Sequence, residues 1–163
     1  MSLKNIAWWR FRALEFAVAL GVVAAGMFIS ENIQMHRRVA TPASSWFVVN
    51  QIYVPEHVEG ANPDMTYDRT IKEPFQGFWV VEVQRLDATG SFILECSGSG
   101  VNDYEVSDYI PENTVSWDWF IGEKCRDTPP GDYQLRASWK LKRSGWPEKE
   151  VVAYSNVFKV SPK

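Results

Sequence analysis

The sequence predicts a mainly β protein: a single N-terminal helix of transmembrane type, followed by an antiparallel sandwich of six to seven strands. Three observations carry this expectation. One block without a charge, Phe16 to Ile29, stands near the start. From Trp46 onward apolar residues recur with period two, the spacing of a strand with one face buried and one wet. The alternating stretches are separated by Pro, Gly, Asn and Asp, the residues that turn chains. A small closed barrel fits the same pattern and is the alternative.

Composition narrows the field. The chain has 163 residues, enough for one domain and a short appendage. With 45% hydrophobic and 23% charged residues it lies far from the composition of disordered chains. A formal net charge of -3 denies it the basic footprint of a nucleic-acid binder, so DNA and RNA are not expected partners. Two cysteines and two histidines are too few for a self-contained zinc module, and neither metal nor cofactor is expected.

The apolar block reads FAVALGVVAAGMFI. Its length covers about 21 Å as a helix, short of the ~30 Å hydrocarbon slab. Help comes from upstream, where Trp8, Trp9 and Phe11 suit the headgroup level and Arg10 and Arg12 reach toward water. Counted from Ile6 to Ile29 the helix spans about 36 Å. The anchoring side chains are then Phe16, Val18, Leu20, Val22, Val23, Met27, Phe28 and Ile29. Two other readings compete: a cleaved secretory signal, with small residues at Val22, Ala24 and Gly26, and a helix buried in a protein assembly. The apolar run continues past those small residues, which favours an uncleaved anchor. Lys4, Arg10 and Arg12 precede the block and Arg37 and Arg38 follow it, a slim bias toward an inward N-terminus. Ala17, Gly21 and Ala25 recur at spacing four, the pattern that lets membrane helices approach and self-associate. The organisation expected is a short cytoplasmic N-terminus (1–12), an anchor helix with a polar extension (13–38), a linker (39–45) ending the helix at Thr41-Pro42, and the sandwich (46–163).

The strands expected are Trp46 to Val54, Phe78 to Leu86, Ser91 to Ser97, Val115 to Ile121, Tyr133 to Lys142 and Val151 to Val160. Tyr133 to Lys142 is the cleanest, with Tyr133, Leu135, Ala137, Trp139 and Leu141 alternating against polar residues. Asp87-Ala88-Thr89-Gly90 suits a hairpin turn, and Pro129-Pro130-Gly131-Asp132 a tight reversal. Pro130 to Leu135, with Ser155 to Val160 about twenty residues later, resembles the last two strands of immunoglobulin-like domains in envelope and phage proteins. That resemblance implies that Tyr133 closes a corner by hydrogen bonding back to the backbone. Cys96 and Cys125 both precede that strand, so they would not make the usual inter-sheet bridge.

On its strand Cys96 shares a face with Phe92 and Leu94, while Cys125 falls in a turn. In an oxidising compartment a Cys96–Cys125 bridge would staple the domain; otherwise one thiol is buried and one exposed. No nucleophile elbow, phosphate loop or dinucleotide fingerprint occurs, His36 and His57 lack the setting of a general base, and no catalytic residue is nominated. Of the eight tryptophans, Trp79, Trp117, Trp119 and Trp139 occupy strand positions, with Trp117 and Trp119 on one face. Trp46 and Trp146 fall near strand ends or loops and, with Tyr104 and Tyr109 of the acidic-aromatic stretch Asp103 to Tyr109, are the candidate ligand contacts. The plain alternative for Trp146 is a ring folded over its own hairpin.

The expected role is non-catalytic: a membrane-anchored binding or structural subunit of a cell-envelope or virion assembly, with the domain outside the membrane, periplasmic in a bacterium. Its partners would be the bilayer and other protein chains, a second copy included. A carbohydrate- or receptor-binding module is the second expectation.

Overall fold

The computed structural model describes residues 3–106 and 113–163, with side chains from Glu15 onward. The chain divides into two compact units, Met1–Thr41 and Pro42–Lys163.

The first unit is one helix, α1 (Leu3–Ala40). Its 38 residues extend about 57 Å. It starts ten residues before the expected position 13, because nothing ahead of Gly21 breaks it: the stretch holds neither Pro nor Gly. Arg37 and Arg38 lie in the last turn, where cations complement the carbonyl end of the helix. The Arg37 carbonyl accepts both the Thr41 N–H, at 3.0 Å, and the Thr41 hydroxyl, at 2.9 Å. Pro42 has no N–H with which to continue the ladder.

The second unit is a β-sandwich. Its strands are β1 (Phe47–Tyr53), β2 (His57–Val58), β3 (Asp64–Ile71), β4 (Phe75–Leu86), β5 (Phe92–Tyr104), β6 (Thr114–Ser116), β7 (Gly131–Lys142) and β8 (Lys149–Ser161). One sheet has the order β1-β3-β6 and the other β2-β8-β7-β4-β5. Every pairing is antiparallel except the short β2 with β8. The inward positions of β7 that alternation predicts, Tyr133 to Leu141, are all buried, and they face Phe47, Ile52, Met65 and Tyr67 of the smaller sheet.

Eight strands stand among the described residues, against six to seven expected. β3 was not foreseen, because Asp68 and Arg69 interrupt its apolar pattern. The expected strand Val115 to Ile121 is corrected. Only Thr114–Ser116 pairs, and Trp117–Phe120 forms a single helical turn, α2. Ser116 caps that turn, its hydroxyl accepting the Trp119 N–H at 3.4 Å. Trp117 and Trp119 therefore do not share a face: Trp117 is buried, whereas Trp119 is 57% exposed.

The turn at Asp87 forms as expected. The Asp87 N–H donates to the Ser91 carbonyl at 2.9 Å, and Gly90 takes a φ of 83° that other residues rarely adopt. The Asp87 carboxylate accepts the Thr89 hydroxyl and the Thr89 and Ser91 N–H groups, and these bonds hold its pKa below the usual value. The Tyr133 hydroxyl donates to the Pro129 carbonyl at 2.7 Å, closing the corner expected of it.

A bulge on β8 fastens the two sheets. The register of β7 and β8 shifts between Gln134 and Arg136, which frees Asn156. Its amide accepts from the Val54 N–H at 2.8 Å and donates to the Val54 carbonyl at 2.9 Å. Val54 lies where the chain leaves β1 and crosses to the other sheet.

One buried group sets an alkaline limit. Among the described residues the buried Tyr67 hydroxyl has no hydrogen-bond partner, and Arg69 lies over the ring at 4.6 Å, a face contact. Burial pushes the phenol well above its ordinary pKa, with Tyr104 adding to the rise. A raised folded pKa means that its contribution is fully present below the unfolded value of about 10 and is lost as pH rises toward the folded value. In a phenolate absorbance titration Tyr67 should ionise only together with unfolding; ionisation of every tyrosine near pH 10 in a still-folded chain would refute this.

Candidate membrane anchor and interaction surface

The segment Glu15–Ala40 of α1 is long and apolar enough to cross a membrane, and none of it is buried. Phe16, Val18, Leu20, Val22, Val23, Met27, Phe28 and Ile29 are all exposed. Moving one such side chain out of water is worth about 1.5–3 kcal/mol, so together they strongly favour a non-aqueous environment. Ala17, Gly21 and Ala25 are also exposed, and nothing comes within 4 Å of a Cβ built at Gly21. The segment's length and composition are those that a membrane anchor or a signal sequence has.

The candidate ligand contacts are not brought together as a surface. Trp46 is 2% exposed and meets Trp146 edge to face at 5.2 Å. Trp146 is half-buried against the core, at a turn closed by its N–H to the Arg143 carbonyl. The Arg143 guanidinium lies 5.8 Å from the Trp46 ring and 5.5 Å from Trp146, held by an ion pair to Glu73 at 3.2 Å. Trp146, on the turn between β7 and β8, thus packs over the buried Trp46 ahead of β1, and the two do not form the flat exposed pair that a sugar would need. Tyr104 is corrected as well: it is 7% exposed and stacks on Phe75 at 4.8 Å. Tyr109 lies outside the described residues. His57 stacks on Phe158 at 5.6 Å and its Nδ1 lies 3.0 Å from the Pro55 carbonyl, the setting of a packing residue.

Cys96 and Cys125 form a disulfide with Cα atoms 5.9 Å apart. Cys96 shares a face with neither Phe92 nor Leu94, which is corrected. The β4–β5 register passes from Val83↔Cys96 to Gln84↔Leu94, so Glu95 is the extra residue and Leu94 turns outward.

Sequence reasoning missed the outward face of the larger sheet. Phe78 is 42% exposed, Val101 58% and Tyr154 55%, and Leu94, Val152 and Val157 are exposed beside them. On β8 the inward set passes from Val151 and Ala153 to Phe158 and Val160, so the bulge moves Val157 to the wet side. At its middle this face carries one ion pair, Arg136 Nη1 to Glu82 Oε2 at 3.0 Å. The outward face of the smaller sheet differs: there Asn50 bonds to Thr70 at 3.3 Å and approaches Asp68 at 3.5 Å. Exposed apolar side chains set around a central ion pair and polar residues give this face the mixed make-up of a protein-binding surface.

Comparison with known proteins brings no family to this chain: no family model matches it, and no curated protein sequence does.

Proposed function

We propose that this chain is a membrane-anchored, non-catalytic subunit of a cell-envelope or virion assembly, its N-terminus inside and an immunoglobulin-like domain displayed outside. The observation that carries the reading is the fully exposed apolar helix preceding a separate sandwich. Support for the immunoglobulin-like character comes from the order β1-β3-β6 against β8-β7-β4-β5, and from the Tyr133 corner bond on the penultimate strand. Where immunoglobulin domains place their second bridge cysteine, two residues after that tyrosine, this chain has the buried Leu135. The Cys96–Cys125 bridge fits an oxidising compartment.

Fractionation tests the anchor. The full chain is expected in the membrane pellet after high-salt and alkaline washes, released only by detergent, whereas a chain starting at Thr41 is expected in the soluble fraction. Protease added to intact cells or vesicles with the native outer side exposed should digest the β-domain. A full-length chain that is freely soluble without detergent would overturn the proposal.

A further inference from the structure

The outward face of the larger sheet can be read in rows across β5, β4, β7 and β8. One row runs Ser99, Val80, Ser138, Val152; the next runs Ser97, Glu82, Arg136, Tyr154. A third runs Leu94, Gln84, Gln134, Val157. We propose that this face binds a second copy of the same chain about a two-fold axis parallel to the strands, passing between β4 and β7.

Charge complementarity selects this occupant. Such an axis sets β4 of one copy against β7 of the other, and β5 against β8. Glu82 then meets Arg136 of the other copy, and the reverse. The ion pair already present within each chain becomes part of a ring of four alternating charges at the centre of the contact. In the third row Gln84 meets Gln134, amide to amide, and Leu94 meets Val157. In the first row Val80 meets Ser138, a large residue against a small one. In the row beyond the first, Phe78 meets Lys140 and Val101 meets Glu150, apolar against charged, and like charges face each other where Asp103 meets Glu148, two exposed residues at one end of the face. The other open face, with Asn50, Asp68 and Thr70 tied to one another, offers no such match.

The area suffices. Four strands about 4.8 Å apart, each contributing nine or so residues at about 3.4 Å, present roughly 600 Å² per copy. Two copies bury roughly 1,200 Å², above the ~1,000 Å² expected of a specific interface. The inference deepens the reading of the domain as a binding module and does not depend on α1 lying in lipid.

The test uses the full chain in detergent micelles, with mass read by light scattering. The native chain is expected to be dimeric. Glu82→Arg alone places four positive charges at the centre, Arg136→Glu alone four negative ones, and each variant is expected to be monomeric. Mixed in equal amounts they should recover the dimer, a result that the ion pair within one chain does not predict. A second measurement is independent of those variants. Ser99→Cys and Val152→Cys lie three strand spacings apart in one chain, about 14 Å, beyond the ~7 Å reach of a disulfide. A mixture of chains carrying one each should cross-link on oxidation well beyond either chain alone. A native chain that stays monomeric, or a dimer that survives Glu82→Arg and gives no excess cross-link, overturns the proposal; the latter result would mean association through α1. Failure of membrane fractionation leaves this test unaffected.

Discussion

A Gly98→Ala chain is expected to lose about 3 kcal/mol of stability or more, the upper end of what overpacking costs. A Cβ at Gly98 would lie 2.9 Å from the Ile121 Cα and closer still to its carbonyl group. The obstacle is backbone, so no rotamer change relieves it. Ile121 follows the single turn α2, whose Phe120 is buried against Trp79 at 5.7 Å, and the segment cannot retreat without opening that contact. At Gly100, next on the same face, the obstacle is a side chain instead: a Cβ there would lie 2.7 Å from Trp79 Cε2. Denaturant unfolding of the full chain in detergent, followed by tryptophan emission, measures the loss. By contrast Gly90→Ala leaves open space around the new methyl and strains only the turn. A Gly98→Ala chain as stable as the native one would show that the α2 segment is not held against β5.

The second large effect is expected from the disulfide. A chain with both Cys96 and Cys125 replaced by Ser should lose about 3–4 kcal/mol, the chain-entropy value for a loop of this length. The bridge spans 29 residues and ties β5 to the turn after α2. That turn is also held from within. The Cys125 carbonyl accepts the Trp117 indole N–H at 3.2 Å and the Thr128 hydroxyl at 2.5 Å, and Arg126 pairs with Asp118. The loss should therefore be greater on the unfolded side than in native contacts, and a reduced chain should keep the same fold with a lower midpoint. Because Gly98 and Cys96 secure the same segment, combining the substitutions should cost less than the sum. A fully reduced chain with an unchanged midpoint would refute the structural role of the bridge.

Much of this was legible from local pattern. The apolar run of α1, the alternation of β7, the Asp87 turn and the Tyr133 corner each depend on residues close in sequence, where period and turn chemistry act directly. β3 escaped because its alternation passes through Asp68 and Arg69, where polar tips conceal residues that still pack. α2 escaped because Trp117-Asp118-Trp119-Phe120 is rich in strand formers, and only Ser116 reaching forward as a cap distinguishes it. Trp46 and Tyr104 looked like surface because they stand at strand ends, yet Trp146 and Phe75 close over them.

By itself the order of residues determined that a greasy helix precedes a layered β-domain, since hydropathy and period two are properties of short windows. Only the folded chain decided which strands neighbour one another and which face of each is wet. Extra residues at Glu95 and at Ser155–Asn156 reverse the phase of β5 and β8, and such a reversal exists only relative to a paired strand. Pairing joins residues far apart in the chain, so the outer face of the larger sheet, with its exposed apolar residues around an ion pair, came into view with the tertiary structure.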